Sequence, residues 1–163
     1  MKNLGLIPIR NFASLGAGYY LYRSAQPMYS YEYKWLKDKL DIGLVINLRS
    51  ELRHDSMMAP AHDIAVVNFD VPDHFCPTLK QAHEFIELIK NRKEAILFHC
   101  EHGHGRTSTF CVLARLAQGW TLGMAIREES EKFGYEFKHP DQLKFLKDNF
   151  SNYNKISYDH KRI

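Results

Sequence analysis

Cysteine is scarce in this chain. Cys76, Cys100 and Cys111 are all that 163 residues carry, an odd number with no framework spacing, which excludes a disulfide scaffold. Long apolar runs are missing too. No stretch approaches the roughly 20 residues that a membrane-spanning helix needs, so no membrane partner is expected. Charge of one sign is weak at a net +3, and no run of lysine and arginine supports nucleic-acid binding. The first residues, MKNLGLIPIRNFASLGAGYY, contain one lysine and no continuous apolar core, which does not read as a secretory signal. The expected location is therefore cytoplasmic by default, with export open if a leader was removed. Internal repeats, linkers and low-complexity segments are absent.

What remains is an ordinary globular composition, 45% hydrophobic and 25% charged, at a length that fits one domain with a full core. Nine histidines stand out, because protonating them makes the surface more positive in mild acid. Apolar runs short enough for buried strands occur at 19–23, 44–48, 64–70 and 95–99. Between and after them come helical signals. One helix is expected over Ser30–Leu40, and another from the Thr78/Gln81 capping box to about Lys90. A third follows position 106, with Phe110, Leu113, Ala114 and Ala117 on one face and Gly119 beyond its end. Thr121 caps a fourth that Gly134 closes, and Pro140 opens a last one through Phe150. Strands alternating with helices predict a single α/β domain, with a central, mostly parallel sheet of four to five strands covered on both faces. Its core is expected over about 20–150, and the polar residues 151–163 are expected to form a loosely held tail.

The chemistry concentrates in HCEHGHGRTS, residues 99–108. Cys100 ends a strand, Arg106 starts a helix, and Gly103 and Gly105 lie between them. Such a layout turns backbone N–H groups inward above a helix N-terminus and makes an anion cradle from Glu101, His102, Gly103, His104, Gly105 and Arg106. Arg106 adds a planar fork suited to two oxygens of a phosphate. Helix N-termini and nearby cations favour the thiolate form of a cysteine, which is the nucleophile. Thr107, and Ser108 beside it, can donate a hydroxyl hydrogen bond to the sulfur. Two alternatives compete. His99, Cys100, His102 and His104 are metal-ligand types, but their spacing matches no usual zinc layout, and inward amides with Arg106 would repel a cation; no metal and no cofactor is expected. The other alternative makes Cys100 a buried thiol and the glycines a turn.

The segment resembles the H-C-x5-R-S/T signature of cysteine-based protein tyrosine phosphatases, here His99, Cys100, Arg106 and Thr107. The resemblance implies a dual-specificity phosphatase-like fold, a phosphocysteine intermediate, no metal, and a separate aspartic acid that protonates the leaving oxygen. VPDHFCPT (71–78) is similar to the family's W-P-D-x-x-x-P loop, with Val71 in place of tryptophan, which makes Asp73 the candidate general acid. LYRSAQP (21–27) resembles a segment near the start of small dual-specificity-like phosphatases. A narrower likeness is to the tyrosine-phosphatase-like phytases. FHCEHGHGRTSTF (98–110) resembles their FHCExGxGRTTTF loop, Asp73, His74, Pro77 and Thr78 match their D-H-x-x-P-T, and NLRSE (47–51) matches L-R-x-E. That likeness implies a small anionic phosphorylated substrate, an inositol polyphosphate and above all myo-inositol hexakisphosphate; separately, a monomer is expected. The nearest alternative is a protein tyrosine or dual-specificity phosphatase.

Around this centre His74, His102, His104, Arg23 and Arg49 are candidate contacts to peripheral phosphates, while His99 and Ser108 are expected to support the loop. Glu101 is expected to point away from the cradle toward a structural arginine. Cys76 is expected unpaired and Cys111 in the core. The aromatic stretch YSYEYKW (29–35) is read as packing of an amphipathic helix. The anion and metal readings separate in one assay: phosphate release should be blocked by vanadate and untouched by chelators, and the reverse pattern would restore the metal.

Overall fold

The computed structural model describes residues 3–16 and 20–155. In chain order it forms β1 (Ala13–Ser14), β2 (Leu21–Ser24), α1 (Ser30–Leu40), β3 (Ile42–Arg49), α2 (His54–Met58), a 3-10 turn (Ala59–His62), β4 (Ala65–Val71), α3 (Leu79–Asn91), β5 (Ala95–His99), α4 (Arg106–Ala117), α5 (Leu122–Glu131) and α6 (Pro140–Phe150).

The apolar runs are continuous because the strands are covered on both faces. All of β5 is buried, and so is every residue of β3 except Gly43. Strand order is β1-β2-β5-β3-β4, parallel throughout except for the antiparallel β1. Alternation sorts β5, sending Ile96 and Phe98 to one core and Ala95 and Leu97 to the other. On β3 the alternation is broken at a register shift between Ile42 and Leu44, so Ile42 joins the second core while Leu44, Ile46 and Leu48 join the first.

The larger core lies between the sheet and α3, α4, α5 and α6, and the smaller lies under α1 and the 3-10 turn. Helix α4 is enclosed: every residue from Arg106 to Leu116 is buried. Its first residues are therefore fixed by packing on all sides. Helix starts follow the local chemistry. Thr78 Oγ1 accepts from the Gln81 amide at 3.1 Å, and the Thr78 amide donates to Gln81 Oε1 at 2.9 Å. Since β2, β3, β4 and β5 run parallel, the loops leaving all four emerge at one edge of the sheet, where ligands of such sheets collect.

Three features depart from the sequence reading. Strand β1 was not expected, because two residues carry no alternation. Its segment nevertheless buries Ile9 and Leu15, so the core begins well before residue 20. Helix α2 and the 3-10 turn after it were not expected either, since HDSMMAPAH has no helical apolar period. The start of the tail is anchored rather than loose: Asn154 Nδ2 donates to the carbonyls of Leu116 and Trp120 at 2.7 and 2.9 Å, closing the end of α4. The first predicted strand is shifted to Leu21–Ser24; Tyr19 and residues 156–163 lie outside the described residues.

At the centre of the larger core, Phe85 makes edge-on contacts with Phe110, Phe98 and Phe69 at 4.9, 5.5 and 6.1 Å between ring centres. Phe85→Ala is expected to cost about 3–5 kcal/mol, read from the urea midpoint at unchanged slope. A loss below about 1 kcal/mol would mean that this cluster can collapse around the gap.

Candidate active site

The loop between β5 and α4 wraps around the Cys100 sulfur. Thr107 Oγ1 donates to Sγ at 2.9 Å from the first turn of α4. Ser108, expected as a second donor to the sulfur, instead faces Arg23, whose Nη2 donates to its hydroxyl at 3.3 Å. Gly103 has φ 84, and a Cβ there would lie 2.9 Å from the Ala25 amide nitrogen, so no side chain fits. The cradle is not made of amides alone. The His104 carbonyl turns inward, and Cys100 Sγ–H donates to it at 3.0 Å. This contact suits a thiol and opposes a bound anion. The peptide between His104 and Gly105 must therefore rotate when an anion enters, and Gly105, at φ 63, sits where that rotation is least hindered.

Buried polar groups hold the loop from outside. His99 Nε2 lies 2.6 Å from Asp55 Oδ2, and its Nδ1 lies 3.1 Å from the Cys100 carbonyl. Burial works to raise the Asp55 pKa, yet the charge of His99 and hydrogen bonds from His99, Tyr33 and Gln26 hold it below the usual carboxylate range. The Tyr33 phenol donates to Asp55 at 2.6 Å, and burial and then the Asp55 charge push its pKa up, so it stays protonated. On the other side, Arg23 is 1% exposed; its Nη1 spans both carboxylate oxygens of Glu129 at 2.6 and 2.7 Å, and its Nη2 donates to the Gly103 carbonyl at 3.1 Å. Asn11 Nδ2 donates to the His102 carbonyl at 2.6 Å.

Arg106, 2% exposed, reaches under the cradle from α4. Its Nη1 and Nη2 donate to Glu51 at 2.8 and 2.9 Å, and Nη1 also donates to the Val71 carbonyl at 2.9 Å. Burial opposes the Arg106 charge, but the bonds to Glu51 leave its pKa raised. Its Nε–H is buried without a partner among the described residues, the one arm of the fork left for an oxyanion. Asp73 Oδ1 stands 3.5 Å from Arg106 Nη2. Cys100, Arg106, Asp73, His74, His102 and His104 line one cleft of about 360 Å³, together with Glu101 and Gly105 of the loop and with Tyr135, Lys138, His139 and Gln142. Burial and then the Arg23 charge push the His104 pKa down, so His104 gains charge only in stronger acid than an ordinary histidine.

Most of the expected centre converges, with two corrections. Arg23 is not a substrate contact: its guanidinium is consumed by Glu129, Gly103 and Ser108. Arg49 is not one either, since Nε donates to Glu51 at 2.9 Å and Nη1 to Gln26 at 3.3 Å, outside the cleft. Glu101 comes within 3.9 Å of Arg49. The four metal-ligand types of the loop do not aim at one point, because His99 turns away to Asp55. The described His, Cys, Asp and Glu groups close enough to share an ion are Cys111, Glu128 and Glu129, whose carboxylates already pair with Arg115 and Arg23. Cys76 is free, as is Cys111, which is enclosed in α4. Tyr33 of the aromatic stretch is buried, while Tyr29 and Tyr31 are exposed and stack on each other at 5.6 Å. Sequence reading missed Glu51, Asp55, Glu129, Tyr135, Lys138 and His139. Only Glu51 had a signal, the L-R-x-E stretch, and it named no role.

A C-x5-R loop at the carboxyl edge of a mostly parallel sheet defines a phosphatase of the cysteine-based protein tyrosine phosphatase superfamily, of dual-specificity size. The chain belongs to the family described as DSP-PTPase phosphatase fused to NAD+ kinase, whose model matches residues 12–151. Solved structures share the fold. Tk-PTP in its active form is 24% identical with a TM-score of 0.70, over 81% of this chain and 91% of that one. The core catalytic domain of the PP-IP phosphatase Siw14 from S. cerevisiae, in complex with citrate, is 20% identical with a TM-score of 0.71, over 91% and 90%. P. aeruginosa TpbA is 22% identical with a TM-score of 0.68, over 81% of each chain. No curated protein matches the chain.

Glu51 gives this site a pH signature. Its hydrogen bonds from Arg106, opposed by burial and aided by Arg49, pull its pKa from 4.5 to about 2. A carboxylate lowered on folding stabilises the folded state fully above its ordinary pKa of 4.5, and that contribution is lost as pH falls toward about 2. Since 39% of the side chain is exposed, screening limits the effect; it should be about 1 kcal/mol or less. Glu51→Gln should therefore lower the melting temperature near neutrality by that small contribution, flatten the acid limb of the profile in that window, and change little below it. An unchanged acid limb would show that Arg106 does not depend on this pair.

Proposed function

We propose that this protein hydrolyses phosphomonoesters of inositol polyphosphates through a phosphocysteine intermediate. The observation that carries the reading is the meeting, in one cleft, of the Cys100 sulfur, the unpartnered Arg106 Nε–H and the Asp73 carboxyl. In the first step the Cys100 thiolate, its proton already given up to solvent, attacks phosphorus, the ester P–O bond breaks, and protonated Asp73 gives its proton to the departing oxygen. Arg106 holds a phosphoryl oxygen through Nε–H, and Thr107 stabilises the sulfur by its hydroxyl. In the second step water attacks phosphorus, Asp73 takes the water's proton, and the S–P bond breaks to release phosphate. The loop amides of residues 101–106 stabilise the equatorial oxygens once the His104 peptide has turned.

The substrate class is supported by the loop sequence FHCEHGHGRT and by what surrounds it. Arg106, Lys138, His74, His102, His104 and His139 put six basic residues on the cleft, against the acidic Asp73 and Glu101. That balance suits a small ligand carrying several phosphates. Siw14, a PP-IP phosphatase by its description, shares the fold. A phosphotyrosine substrate is the second reading, favoured by Tyr135 in the cleft wall and by Phe75, which is exposed on the Asp73 loop.

Phosphate release from myo-inositol hexakisphosphate and from phosphotyrosine peptides, measured side by side, decides between them. Turnover of the inositol ester well above that of the peptides is expected; strong turnover of peptides alone would reject the substrate class. Cys100→Ser should abolish both while leaving substrate binding intact, and appreciable residual turnover would remove the covalent route.

A further inference from the structure

Little apolar surface holds the Asp73 loop in place. Pro72, Asp73, His74 and Phe75 are all exposed. The hydrogen bond that Asp73 accepts comes from the next residue, His74 N–H to Oδ1 at 3.0 Å, and its nearest charge on another element is Arg106 at 3.5 Å. His74 itself sits at φ 69, a left-handed conformation that side-chain-bearing residues adopt at a cost. Something beyond the loop must stabilise that geometry.

The ties run to the residues that open α6. His74 Nδ1 lies 2.8 Å from His139 Nε2, with the two rings 4.3 Å apart. One residue along, the Phe75 carbonyl accepts from Gln142 Nε2 at 3.3 Å, and Gln142 is itself fully buried and accepts from the Tyr135 hydroxyl at 3.0 Å. The other nitrogen of the His74 ring, Nε2, faces Asp73 Oδ2 at 3.5 Å. One imidazole therefore touches the carboxyl on one side and His139 on the other. In a hydrogen bond between two neutral imidazoles one nitrogen donates and the other accepts, so His139 restrains the orientation of the His74 ring and couples the tautomers of the two.

We propose that His139 is a positioning residue for the acid step: acting through His74, it holds the Asp73 carboxyl at the leaving-group side of the cleft. The inference rests on the reading of Asp73 as general acid, and not on the choice of inositol substrate. His139 precedes Pro140 and supplies no side-chain cap to α6, so replacing it leaves the helix start intact.

The test uses the whole chain and two aryl esters, phenyl phosphate, whose leaving group needs a proton, and 2,4-dinitrophenyl phosphate, whose leaving group does not. His139→Leu is expected to lower kcat/KM, which reports the first phosphoryl transfer alone, about 10- to 100-fold on phenyl phosphate, as misplacement of a catalytic group does. On the dinitrophenyl ester the loss should be less than about threefold. His139→Gln, which keeps a donor and an acceptor, should recover most of the loss. In an Asp73→Asn background His139→Leu should add almost nothing, because the group it positions is gone. An equal loss on both esters, an undiminished loss in the Asp73→Asn background, or no loss at all would each overturn the proposal. If Asp73→Asn slows both esters alike, the general-acid reading falls and this inference falls with it. If Asp73→Asn discriminates between the esters and His139→Leu does not, only this inference falls.

Discussion

A buried guanidinium carries more of this structure than any other group. Arg23 leaves β2, lies 4.1 Å from the Phe133 ring centre, spans the Glu129 carboxylate from α5, and donates to the Gly103 carbonyl of the phosphate loop and to Ser108 of α4. A loop that must keep its interior free for a ligand cannot be filled by side chains, so its carbonyls must find partners on the outer side. Removing one partner of such a buried pair leaves an uncompensated charge, at a cost of about 3–5 kcal/mol. The arrangement thus binds the loop's shape to the packing of α4 and α5 against the sheet.

The same requirement repeats around the loop. Asn11 takes the His102 carbonyl, and His99, held by Asp55, reaches the Cys100 carbonyl. Each comes from a different stretch of chain: the segment before β1, the helix after β3, and the end of β5. The unexpected elements are those that supply these partners. Segment 3–16 brings Asn11, and α2 brings Asp55. Neither has the apolar period of a conventional element, and each places a polar atom beside the loop.

The candidate reactive groups differ in how they are held. The Cys100 sulfur is satisfied within its own loop by Thr107 and by the inward His104 carbonyl, and Arg106 is occupied by Glu51 and Val71 except at Nε. Asp73 projects from an exposed loop tied down by imidazole and amide contacts. A buried polar frame with Asp73 on an exposed segment beside it suits the proposed chemistry, in which one carboxyl gives a proton and then takes one back.

Local chemistry in the sequence determined the parallel α/β architecture, the helix starts at Thr78, Thr121 and Pro140, and the meeting of Cys100, Thr107 and Arg106. Those features depend on residues a few positions apart, where period, capping and loop geometry decide the outcome. It also marked Asp73, through the likeness of its loop to a known one. Only the tertiary structure decided what arginine does at 23 and 49, because a guanidinium beside a phosphate and one beside a buried carboxylate look alike until the carboxylate is placed. Glu129 is 106 positions from Arg23, and His139 is 65 from His74. Partners at such separations are chosen by how the layers pack, and no local pattern in the chain records that choice.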